Sequence, residues 1–174
     1  MKIDLTATMK SADDFFALFE EGDQRELFNG MSLLRRAIMN TKPDARYAIA
    51  DFLLDRDAVI GPVGDDGTTL LHVLFGHVKH DVEHDAALAA RLIGRGVDVN
   101  TPDGGGVLAF QWVLNMKYTD EELAPIYDLW FAQPVLDFTS RSSRYGVSPL
   151  EVAEKLPYRE KITARMKEYI REHS

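Results

Sequence analysis

Apolar residues along this chain come in short bursts of helical length, each opened by a glycine and a small hydroxyl. Gly67-Thr68-Thr69-Leu70-Leu71-His72 and Gly146-Val147-Ser148-Pro149-Leu150-Glu151 show the pattern most clearly, with Gly30-Met31-Ser32-Leu33-Leu34-Arg35 close to them and Gly106-Val107-Leu108-Ala109-Phe110-Gln111 a worn copy. The hydroxyl suits a helix start, because its oxygen accepts from an unpaired N–H of the first turn. Pro149 falls where a missing N–H costs little. A polar break follows each burst, and then a second amphipathic segment: Ala45 to Leu54, Ala86 to Ile93, Glu121 to Phe131, and Tyr158 to Ile170. Glycine closes these second helices at Gly94 and Gly96, and turn chemistry at Thr101-Pro102-Asp103-Gly104-Gly105 leads into the next burst. The predicted unit is helix, turn, helix, then an extended turn-rich finger.

The opening glycines stand at 30, 67, 106 and 146. Self-similarity at a period of a few tens of residues predicts stacked repeats, and stacked repeats offer surfaces for holding other macromolecules. At the ends, Ser11 to Asp23 reads as an N-terminal capping helix (11–23) and residues 158–172 as a C-terminal one, each giving the stack a polar outer face. The whole chain, 1–174, is then a single domain.

These motifs resemble those of the ankyrin-repeat family. Asp66-Gly67-Thr68-Thr69-Leu70-Leu71-His72 is similar to its Asp-Gly-x-Thr-Pro-Leu-His opening, and Leu92-Ile93-Gly94-Arg95-Gly96-Val97-Asp98-Val99-Asn100 to its Leu-Leu-x-x-Gly-Ala-Asp-Val-Asn ending. The resemblance covers roughly residues 11–172. It implies an all-α solenoid of about four repeats, and a hydrogen-bonding role for His72 between adjacent fingers. The family unit is about 33 residues, whereas the opening glycines here are 37, 39 and 40 apart. The excess falls between paired helices, at 39–43, 76–85 and 115–120.

The resemblance also implies a partner-binding groove lined by the residue after each opening glycine and the one after the histidine position. Carried over, these are Met31 and Arg36, Thr68 and Val73, Val107 and Trp112, and Val147 and Val152, with Asp65, Asp66, Asp103, Arg144 and Tyr145 on the fingers. Trp112 is either a groove anchor or a core aromatic, and starting the third repeat at Gly106 puts it on the groove. Tryptophan, tyrosine and arginine are the side chains that most often dominate interface energies.

Composition narrows the chemistry. Hydrophobic content of 45% and charged content of 28% are those of an ordinary folded protein. The formal net charge of −8 repels phosphate backbones, so nucleic acid is not an expected partner, while a basic protein is easily accommodated. The absence of cysteine removes disulfides, Cys-ligated zinc and thiol catalysis. Met1-Lys2-Ile3-Asp4 puts an acid where a secretion signal needs apolar residues, and the uncharged stretch 104–116 is too short to span a bilayer. A cytoplasmic protein, monomeric when free, is expected.

His77, His80 and His84 have the i,i+3 and i,i+4 spacings of helix-borne metal ligands. They fall in the long inter-helix loop, where they are expected to be solvated, and no metal or cofactor is expected. Gly104-Gly105-Gly106 lacks the strand and lysine of a phosphate loop. The serines at 140–143 lack a nucleophile elbow. The reading is a non-enzymatic protein-binding module. The family resemblance extends to small bacterial accessory proteins, including immunity proteins that neutralise a toxin, with general scaffolding or self-assembly as the alternative and a metal-dependent enzyme behind both.

Overall fold

A computed structural model describes residues 2–174. The described chain is mostly helical, with ten α-helices and one two-stranded hairpin. The helices form two rows. The first comprises α1 (Ile3–Met9), α3 (Leu33–Ile38), α5 (Leu70–Phe75), α7 (Ala109–Leu114) and α9 (Pro149–Glu154), each packed on the next. The second comprises α2 (Ala12–Phe16), α4 (Pro43–Leu54), α6 (Val82–Gly94) and α8 (Ala124–Phe131), again in succession, with α10 (Glu160–Glu172) packed on α9. The core lies between the rows, and its largest fully buried side chains include Phe15, Leu33, Ile49, Phe75, Phe110, Trp130 and Phe138.

The helix starts follow the hydroxyls. Ser32, Thr69 and Ser148 each accept from the backbone N–H three residues on, and Pro149 occupies the first turn of α9. A short loop precedes each of these helices. The first is a hairpin of β1 (Leu27–Phe28) and β2 (Met31–Ser32), turned by Asn29 and Gly30, both at positive φ. In the second loop, Gly67 has φ +77°, and a Cβ there would meet the backbone nitrogen of Gly104 at 2.6 Å. Glycine is what lets consecutive loops lie against each other, with Gly104 N–H donating to the Asp66 carbonyl (2.7 Å).

The N-terminal end departs from expectation. The helix expected over 11–23 runs only from Ala12 to Phe16, capped reciprocally by Ser11 and Asp14, and an additional helix, α1, precedes it. The outer face at this end is not wholly polar, since Leu5, Met9, Phe16 and Leu18 are exposed. α1 turns Asp4, Thr6 and Ala7 inward, which leaves Leu5 and Met9, one helical turn apart, facing out.

Candidate functional site

The same position in three successive units ties each loop to the next. Arg35 donates to the carbonyl of Thr68 (2.9 Å), His72 Nε2 to that of Val107 (2.7 Å), and Gln111 Nε2 to that of Val147 (3.4 Å). Each of these carbonyls also closes its own loop by accepting from Gly64, Asp103 or Ser142 N–H. The His72 tautomer follows from its partners. Nδ1 accepts from the Thr69 N–H (3.1 Å), so Nε2 carries the proton. Burial holds this imidazole below the ordinary histidine value. At the fourth such position Glu151 can only accept, and it pairs with Arg141 of its own loop.

On the face presented by α7 and α9, five of the expected partner-binding residues come together. Val107, Trp112, Tyr145, Val147 and Val152 line a cleft of about 280 Å³, joined by Gln111 and Asn115. Trp112 is half-buried, packed against the core on one side and open to the cleft on the other, and Tyr145 is 58% exposed. Val107 does not stand out into a groove as expected; it is buried at 2% exposure because its loop is pulled in by His72. Val73 is half-buried beside the core on α5.

Asp103 is a second correction. Rather than standing on a rim, it is 6% exposed, accepts from Gly105 and Val107 N–H, and pairs with Arg144 at 3.1 Å. Arg144 itself is exposed. Asp65 and Asp66 are exposed, and Asp66 is held below the usual carboxylate range chiefly by the Thr68 hydroxyl and N–H. Thr68 is fixed by Arg35. Met31 pairs with Phe28 in the hairpin, and Arg36 reaches the Phe28 carbonyl and the buried Asp4. The candidate residues thus separate into an apolar cleft, an acidic loop tip, and two members near the N-terminal end that do not join the cleft.

A second cleft, of about 220 Å³, shares Trp112 and Asn115 with the first and is walled by Phe75, His77, Val78, His80, Met116 and Lys117. Nothing in the spacing of the sequence marks it, because residues 76–85 read as a solvated loop. The histidines there are built in. His77 Nε2 lies 2.6 Å from the Ile38 carbonyl, and the His80 side chain is 1% exposed against Asp85 at 2.5 Å. His84 stacks on Tyr47 and bonds Asp51 at 2.8 Å. Arg46 and Tyr47 interrupting the apolar stripe of α4 were the available signal, since buried polar groups require partners. Among the described residues no cluster of three or more His, Asp or Glu is placed to hold a metal ion.

The charge is unevenly spread. Residues 1–105 contain eighteen acids against eleven lysines and arginines, while residues 106–174 contain ten against nine. The clefts flanking Trp112 lie largely in the balanced part, and the acidic loop tip in the negative part. No helix among the described residues is long and apolar enough to cross a membrane. What the Trp112 face offers is two apolar slots separated by an indole and edged by amides, a phenol and a lysine.

No family model matches the chain, and no curated protein matches it. A solved structure is similar over nearly its whole length: a functionally unknown protein from Leptotrichia buccalis C-1013-b, 23% identical, covering 99% of this chain and 94% of that one with a TM-score of 0.86. That likeness establishes a shared fold.

Proposed function

We propose that this chain is an ankyrin-repeat solenoid that binds another protein through the Trp112 face and the adjoining loop tips, without catalysing a reaction. The observation that carries the proposal is the half-exposed Trp112 set between two clefts on consecutive first-row helices. A large aromatic left partly open beside well-formed apolar slots is the usual anatomy of a binding hot spot. The repeat assignment is supported by the recurring loop-to-loop tie from Arg35, His72 and Gln111. The excess of acid in residues 1–105 supports a partner with a basic surface, because complementary charge raises the rate of encounter. An immunity or inhibitor role toward a basic toxin or enzyme is the specific form this reading takes, with general scaffolding as its alternative.

The test is co-purification with the products of neighbouring reading frames, using wild type, Trp112→Ala and Val152→Asp. Both variants are expected to lose the partner at least tenfold while keeping helical circular dichroism. Retention of the partner by both folded variants would remove this face from the binding function.

A further inference from the structure

We propose that the buried His80–Asp85 pair is a proton-held latch on the loop walling the second Trp112 cleft, so that pH regulates the binding face; the regulatory half of this rests on the function proposed above. Both ring nitrogens of His80 face acceptors. Nδ1 lies 2.5 Å from the Asp85 carboxylate, and Nε2 lies 2.6 Å from the His77 carbonyl. A neutral imidazole has one N–H, so with Asp85 ionised satisfying both requires the doubly protonated ring. The Tyr47 hydroxyl donates to the other Asp85 oxygen (2.7 Å) and accepts from the Asp81 N–H (2.9 Å), so that oxygen is an acceptor and the remaining one faces Nδ1. Burial pushes the Tyr47 phenol up to about 12, so its proton stays in place.

The charged and titratable groups around the pair fix the direction of the switch. Arg46 and Tyr47 face it from α4, His84 and Asp85 belong to α6, and Lys117 and Tyr118 come from the loop after α7. His77, Lys79 and Asp81 flank it within its own loop. Burial, with Arg46 and His80 nearby, holds His77 below the ordinary histidine value.

When pH rises, the proton leaving His80 goes to water from Nε2, because the bond to the carboxylate is charge-assisted and the stronger of the two. The His77 carbonyl then faces a lone pair instead of a donor, and the turn from His77 to His80 loses its closing bond. That turn forms one side of the cleft on Trp112, and it is also tied to the Tyr118 hydroxyl through the His80 carbonyl (3.1 Å). The opened state is the one favoured at high pH.

The experiment is a long-range proton–nitrogen correlation of the imidazoles and the Trp112 indole in the free protein, titrated from about pH 5 to about pH 9. Trp112→Phe and His80→Gln assign the signals. The expected result is a doubly protonated His80 at the acidic end, passing to an Nδ1–H tautomer with the Trp112 indole shift following the same midpoint. Asp85→Asn should lower that midpoint, and circular dichroism checks that it folds. A neutral His80 at the acidic end overturns the latch, and a flat Trp112 signal while His80 titrates overturns its coupling to the cleft. Both readouts use the protein without a partner, so failure here is distinct from Trp112→Ala failing to lose its partner.

Discussion

Thr69 with His72, and Leu108 with Gln111, hold the same two positions in consecutive units and tie the same carbonyl of the following loop, yet they do so with different chemistry. The His72 joint is short and fully furnished: the ring donates to Val107 at 2.7 Å and accepts from the Thr69 N–H, while the Thr69 hydroxyl caps α5. The Gln111 joint keeps the reciprocal half, accepting from the Leu108 N–H at 3.0 Å, but reaches Val147 only at 3.4 Å, and Leu108 has no hydroxyl with which to cap α7. At these two joints a single buried side chain supplies both a donor and an acceptor, which a ring or an amide can do and the Arg35 and Glu151 side chains at the equivalent positions cannot. Only the ring brings a titratable group with it.

The greatest loss of stability is expected at His72. His72→Ala leaves the buried Val107 carbonyl and Thr69 N–H without this side chain, and should cost about 2–4 kcal/mol in urea unfolding. Gln111→Ala should cost about 1–2 kcal/mol, since the bond it removes is longer. Equal losses would mean that the two joints bear equal load.

The second difference is in pH. Burial lowers the folded-state pKa of His72, and of His77, so around and below the ordinary histidine value the unfolded chain binds more protons than the folded one. Their contribution is therefore present above about pH 6.5 and lost as pH falls below it. His72→Gln should flatten this acid limb, and Gln111→His should steepen it. Unfolding midpoints measured at a series of pH values decide the matter, and an unchanged slope in both variants would refute the assignment.

The smallest expected effect repairs the weaker joint. Leu108→Thr supplies the missing cap and should raise stability by about 0.5–1 kcal/mol, provided the lost contacts of Leu108, itself buried at 4% exposure, do not outweigh it. A fall in stability would show that packing governs this position.

Much of the local structure was legible. Ser32, Thr69 and Ser148 mark their helix starts because a cap is a contact within four residues, and sequence spacing contains that information. The meeting of Trp112 with Tyr145, Val147 and Val152 was also anticipated from equivalent positions. What escaped depends on the neighbouring unit. Val107 and Asp103 look like loop-tip residues, yet they are buried because His72 and Arg144 close over them from outside their own turn. His77 and His84 read as solvated because their partners, Ile38, Asp51 and Tyr47, lie one unit upstream. α1 has no side-chain cap and only seven residues, so nothing in its spacing announced it.

Arg159 gives the C-terminal end a distinctive mechanical character. Its guanidinium is fully buried, donating to the carbonyls of Leu114, Met116 and Tyr118 and pairing with Asp120 at 3.1 Å. In a linear stack, where each layer touches only its neighbours, the terminal layer is ordinarily the first to fray. Here the last helix cannot peel away alone, because doing so strips the donors from the loop behind α7 and strands a buried Asp120. The unfolding boundary is thereby moved inward by one layer, and amide exchange in α10 should keep pace with that of the 114–120 loop rather than run ahead of it.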